Sequence, residues 1–175
     1  MRVLGIDPGL RELGWAVLES KNGKETNSNK NGKKHPKSQK YTLISFGLIT
    51  TSDDKDVSQR LSEISCEVQK ILNKFKPDLC AMESVFVWKD PSAALKLGMV
   101  IGTCIEVSRR KKVTVDILSP LFIKSKISGD RYADKDKIGK YVLKKLSLSS
   151  GKKLNGNIPH HITDAIAIAL SSFYK

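Results

Sequence analysis

The sequence predicts a single α/β domain: a mixed five-stranded sheet flanked by helices on both faces. Three observations lead there. Three apolar, strand-like runs come first, over residues 2–7, 12–19 and 41–51, and read as an antiparallel meander. Two further short strands then alternate with segments of helical apolar spacing, the pattern of strand–helix–strand crossovers. The hydrophobic fraction of 39% over 175 residues suffices for one core, which excludes a wholly disordered basic chain.

Taken in order, the first strand is RVLGID (2–7), an apolar run halted by Pro8-Gly9. Residues 12–19 and 41–51 supply the second and third strands. Residues 58–75 place Leu61, Ile64, Val68, Ile71, Leu72 and Phe75 at helical spacing. A fourth strand, 78–83, follows Pro77. Residues 91–110 form a long helix with Ala93, Ala94, Leu97, Val100, Ile101 and Ile105 on its inner face. A fifth strand over 113–118 leads into Ser119-Pro120, an N-cap and first-turn pair for a short helix. A helix over 134–146 and another over 160–173 complete the chain. The last presents Ile162, Ala165, Ile166, Ala169, Leu170 and Phe173.

Charge is the most unusual bulk property. There are 31 Lys and Arg against 18 Asp and Glu, a net of +13, which points to a polyanionic partner, nucleic acid first. The excess is concentrated. Residues 21–40 carry seven Lys and one Glu and no aliphatic or aromatic side chain, so they read as a disordered basic insertion between two strands. His35 belongs to it. The insertion is either a solvated loop or a nonspecific contact to phosphates. Residues 109–153 have a net charge of +10, with their cations interleaved among apolar residues that fix them on structure. That stretch is expected to be a binding surface. The remainder is net −3.

No apolar run reaches the roughly 20 residues needed to cross a bilayer, and the N-terminus enters a strand rather than a cleavable leader. Cys66, Cys80 and Cys104 are scattered without metal-type spacing. They read as buried thiols of a reducing compartment, so the expected location is the cytoplasm, with no membrane partner.

Carboxylates at the ends of apolar strands need a reason in a chain this basic. Asp7 follows Val3-Leu4-Gly5-Ile6, and Glu83 ends Leu79-Cys80-Ala81-Met82. Asp164 lies in a strongly apolar helix, three residues after His161 and on its face. Singly, each has a structural explanation: a turn former, a cap or an ordinary helix position. Together, a helix laid across adjacent strand ends would gather Asp7, Glu83, His161 and Asp164. Clustered carboxylates are tolerated when a hard divalent cation neutralises them, and oxygen donors suit Mg²⁺ or Mn²⁺. Set in a basic protein, such a cluster suits phosphodiester cleavage by two ions roughly 3.5–4 Å apart.

Gly5-Ile6-Asp7-Pro8-Gly9, Met82-Glu83-Ser84-Val85-Phe86, Ala94-Leu95-Lys96-Leu97-Gly98 and Thr163-Asp164-Ala165-Ile166-Ala167 occur in order along the chain. Their combination resembles the RuvC Holliday-junction resolvases over nearly the whole length, residues 21–40 excepted. The resemblance implies a ribonuclease-H-like fold and a homodimer that makes paired symmetric nicks in four-way junction DNA with two Mg²⁺ per site, Mn²⁺ being a substitute. It also implies cooperation with a RuvA–RuvB branch-migration complex.

By the same resemblance Asp7, Glu83 and Asp164 are metal-binding catalytic carboxylates. His161 falls where the family commonly has Asp and some members have His, and would ligate metal or help activate water. His160 is expected to be structural. Phe86 would stack on an unpaired base, with Trp88 secondary. Lys124 and Lys135 would grip the scissile phosphate region. Arg131 stands where the family often has a second glycine, and would stiffen that loop and add a phosphate contact. The exposed side of helix 91–110 is the expected dimer interface. The competing readings are another ribonuclease-H-like nuclease acting on hybrids or single strands, an actin-like kinase, for which the chain is short, and a junction-binding module without catalysis.

Overall fold

The computed structural model describes residues 1–21, 40–85, 90–150 and 158–174. Five strands, β1 (Arg2–Asp7), β2 (Glu12–Lys21), β3 (Lys40–Thr50), β4 (Leu79–Glu83) and β5 (Thr114–Leu118), form one sheet in the order β3-β2-β1-β4-β5. The β1–β2 and β2–β3 pairs are antiparallel, and β1–β4 and β4–β5 are parallel. The helices are α1 (Val57–Phe75), α2 (Pro91–Arg110), α3 (Pro120–Ser128), α4 (Lys135–Ser150) and α5 (His160–Ser171). The mixed sheet expected from the sequence is the one observed.

Alternation along the strands sorts the core into two layers. Leu4, Ile6, Leu13, Val17, Cys80 and Met82 point to one face, where they meet Ile64, Val68 and Leu72 of α1 and Val100, Cys104 and Val107 of α2. Val3, Ala16 and Ala81 point to the other, against α3, α4 and α5. Helix starts follow local chemistry. Asp56 and Gln59 close a reciprocal capping box on α1, with Gln59 N–H to Asp56 Oδ1 at 2.9 Å and Asp56 N–H to Gln59 Oε1 at 3.1 Å. Asp90 caps α2 ahead of Pro91, and Ser119 caps α3 ahead of Pro120.

Four expectations are corrected. Lys21 and Lys40 pair across β2 and β3, so the two ends of the 21–40 insertion belong to the ladder; the rest, His35 included, lies outside the described residues. Cys66 is exposed, because it sits two residues from both Ile64 and Val68, and that spacing turns it away from the buried stripe of α1. On α2, Ala93 is exposed and Ala94 and Leu97 are only half-buried; the core side is Val100, Ile101, Cys104 and Val107. The N-terminal turns of α2 are largely exposed. Finally, α5 is buried almost all round, including Ala167 and Ile168, and ends at Ser171 in a 3₁₀ turn. Phe173, in that turn, packs its ring 5.1 Å from that of Tyr41.

Candidate active site

Two periodicities and two glycines assemble the site. Val3, Gly5 and Asp7 share one face of β1, and Leu79, Ala81 and Glu83 share the same face of β4. The parallel register sets Val3 beside Leu79 and Ile6 beside Met82, so Asp7 and Glu83 leave the sheet side by side at their strand ends. That face is the one α5 covers. A Cβ on Gly5 would lie 2.2 Å from the Ala165 carbonyl oxygen, and one on Gly14 would lie 2.0 Å from that of His161. Helix α5 therefore rests directly on strand backbone. Gly14 is paired with Asp7 across β1 and β2, so the first turn of α5 hangs over the end of β1. His161 and Asp164 are delivered there.

His161 Nδ1 lies 2.6 Å from Asp7 Oδ2, and its Nε2 lies 3.8 Å from Glu12 Oε2. Asp164 Oδ2 accepts from Lys135 Nζ at 3.4 Å. Glu83, Asp164, Lys124, Lys135, Ile123 and Ile138 line a small open cleft between β4, α3, α4 and α5. Burial pushes the Glu83 carboxyl up to about 7, and the charges of Asp7 and Asp164 add to the rise. Lys135 and Lys124 pull the other way without cancelling it. Asp7 is raised for the same first reason, burial; the hydrogen bond to His161 opposes this and Asp164 reinforces it.

Six of the predicted residues thus converge: Asp7, Glu83, His161, Asp164, Lys124 and Lys135. Arg131 is exposed on the connection between α3 and α4, beyond the cleft lining. His160 is exposed, and its carbonyl accepts from Thr163 Oγ1 at 2.8 Å, a backbone role. Phe86 and Trp88 lie outside the described residues. Sequence reasoning missed Glu12. Period-two alternation puts Glu12 on the face of Gly14 and Ala16 that carries α5, but only the crossing angle of α5 brings it to His161.

The donor set fits a hard dication in kind and in charge. All three carboxylates are oxygen donors, and burial, reinforced by the neighbouring carboxylates, makes it costly for Asp7 and Glu83 to stay charged without a cation. Among the described residues no three His, Cys, Asp or Glu side chains stand close enough together to hold a metal ion, so the fit is one of donor chemistry. Cys80 and Cys104 are no part of it: both are buried, and burial holds their thiols protonated.

A mixed sheet in this order, with acidic residues at its central strand ends and lysines on the rim, puts the protein in the class of ribonuclease-H-like nucleases. Comparison with known proteins narrows the class. The family model described as "Crossover junction endodeoxyribonuclease RuvC" matches residues 3–172. The RuvC protein of Caldicellulosiruptor saccharolyticus is 33% identical over 170 residues, covering 97% of this chain and 90% of that protein. The Thermus thermophilus RuvC structure superposes with a TM-score of 0.80 at 26% identity, over 99% of this chain and 95% of that one. A second structure, T. thermophilus RuvC in complex with Holliday junction substrate, gives 0.79 at 24% identity, with 99% and 94% covered.

The chain belongs to the RuvC family of crossover junction endodeoxyribonucleases. It is an enzyme that hydrolyses phosphodiester bonds, a Holliday-junction resolvase of DNA recombination and repair. The kinase, hybrid-cutting and non-catalytic alternatives fall away. Among the described residues no helix is long and apolar enough to cross a membrane.

Proposed function

We propose that the chain, a single domain over 1–175, acts as a homodimer. It resolves four-way DNA junctions by paired symmetric nicks, with Asp7, Glu83, Asp164 and His161 forming the site in each subunit. The observation that carries this reading is the convergence of Asp7, Glu83, His161 and Asp164 at two strand ends and the first turn of α5, beside a lysine-lined cleft. Asp7 and Glu83, fixed by strand ends, and Asp164, fixed by α5, would hold two Mg²⁺ ions, or Mn²⁺ in their place. When bound, such ions supply Lewis acidity at the attacked phosphodiester. His161 is steadied at Nδ1 by Asp7, and holds either a metal or a proton of the attacking water.

Lys135, paired with Asp164 and 73% exposed, has the reach to exchange that carboxylate for a phosphate oxygen as charge develops. Lys124 faces the same cleft from α3. Arg131 adds a phosphate contact from the adjoining loop, and Phe86 stacks on an unpaired base, both as the family resemblance implies. Two coordinated cuts need two sites related by a two-fold axis. The exposed N-terminal turns of α2, with Leu95 63% and Met99 41% exposed, supply the apolar face for that contact. The setting is the cytoplasm, in keeping with three free cysteines, alongside a RuvA–RuvB branch-migration complex.

The test is a Mg²⁺-dependent nicking assay on a synthetic four-way junction against excess linear duplex, with Asp7→Asn as control. Paired nicks that survive the competitor and vanish in the control support the reading. Equal cutting of the linear duplex refutes it.

A further inference from the structure

We propose that Tyr132 stacks on an unpaired nucleobase of the strand entering the active site, and so helps hold the scissile phosphate over the carboxylates. The inference rests on the junction-cutting reading above and adds a substrate contact to the same site. Tyr132 is 87% exposed, more than any other large apolar or aromatic side chain among the described residues. Its ring has no aromatic or hydrogen-bond partner among them.

That exposure occurs on a fixed backbone. The Tyr132 N–H donates to Asp130 Oδ1 at 2.9 Å, and Asp130 Oδ2 accepts from Lys137 Nζ at 3.1 Å. Ser128 Oγ lies 2.9 Å from the Lys124 carbonyl and 3.0 Å from that of Asp130, and accepts from the Asp130 N–H at 3.2 Å. Gly129 ends α3 in the left-handed region with φ 76°, where a side chain would be strained. On the other side Ala133 is only 2% exposed and fills the core position. The loop is pinned before and after the ring, and the ring is left in water.

The location gives the exposed ring a use. The loop joins α3, which carries Lys124, to α4, which begins with Lys135, and both lysines line the cleft with Glu83 and Asp164. An aromatic ring beside backbone-gripping cations is the arrangement that holds single-stranded nucleic acid, because every base offers a π-face. A paired and stacked base has no free face, so the ligand is a base unstacked beside the cut. A ring presented on an already ordered loop also loses little freedom on binding.

The experiment pairs Tyr132→Ala with Tyr132→Phe. A junction with 2-aminopurine placed at successive positions flanking the cut is bound in an Asp7→Asn background, which keeps it whole. Stacking predicts quenching at one position with Tyr132 or Phe, and its loss with Ala. In the otherwise wild-type enzyme, kcat/KM should fall about tenfold for Ala and stay within about twofold for Phe. Melting should not change, since the side chain is 87% exposed. Quenching that is indifferent to Tyr132→Ala, or a Phe variant as poor as Ala, overturns the inference. Failure of the wild-type chain to nick junctions would instead overturn the functional reading, and the quenching still reports on the stack.

Discussion

Replacing Glu83 with Gln should stabilise the metal-free protein at alkaline pH while abolishing nicking. In the folded chain the Glu83 carboxyl is pushed up to about 7 from 4.5, by burial first and then by Asp7 and Asp164. Below about pH 4.5 it is protonated whether the chain is folded or not, and it costs nothing. Between pH 4.5 and 7 the unfolded chain releases the proton while the folded chain keeps it, so stability falls as pH rises. Above 7 the loss is complete. The full gap corresponds to roughly 3 kcal/mol. Glu83 is partly open to the cleft, where water screens part of the field, so about 2 kcal/mol is the expected gain at pH 8. For a domain of this size that is about 4–8 °C in Tm. Urea unfolding in EDTA, followed by circular dichroism at pH 5 and pH 8, reads it. Most of the gain should disappear at pH 5, where the charge cost is small. Saturating Mg²⁺ should reverse the order, because only the wild-type carboxylate rewards a bound dication. A Gln variant no more stable than wild type at pH 8, or one equally stabilised at pH 5, would refute the charge argument.

Gly14→Ala should cost about 2–3 kcal/mol in urea unfolding, because its Cβ would stand 2.0 Å from the His161 carbonyl oxygen and α5 would have to lift. Lys135→Ala should leave stability within about 0.5 kcal/mol, since its ion pair with Asp164 is exposed at the lysine end. Single-turnover nicking by that variant should drop about a hundredfold with junction affinity little changed. His161→Ala should also slow cleavage by about a hundredfold or more without weakening junction binding in a gel-shift titration. Near-normal turnover of that variant would remove His161 from the chemistry.

The parts of this molecule that follow local rules were legible in the sequence. Ser119-Pro120 announced the start of α3, and it caps Phe122 N–H as expected. The convergence of Asp7 and Glu83 needed only period-two alternation and the adjacency of two parallel strands. What depended on how elements cross was not legible. The contact of His161 with Glu12 exists because α5 lies over Gly14 at one particular angle, and no spacing within either segment encodes an angle. The apolar positions of α2 are helically spaced, but spacing does not say which turns meet the core, and Ala93 in the first turn is exposed. Cys66 is different: the phase of α1 already placed it off the buried stripe, and the general tendency of cysteine toward burial was given too much weight.

Burial weighs more on the carboxylates of the site than their neighbouring cations do. On the surface Asp130 is held low, by the Tyr132 N–H first and by Lys137 after it. Here Lys124 and Lys135 face the same cleft as Glu83, and its carboxyl is still raised to about 7. Lys135 carries its charge on an exposed side chain that is 73% accessible, where water screens it, while Asp7 is only 13% accessible and Asp164 20%. Under the proposed function, Lys135 would exchange its ion pair with Asp164 for a phosphate oxygen arriving from solvent. The strand ends and α5 hold Asp7, Glu83 and Asp164 together against their own repulsion, and Gly5 and Gly14 admit the helix that does so. If these carboxylates hold a dication as proposed, its entry would offset the cost of burying them and add stability, so metal occupancy would be coupled to the same packing that brings them together.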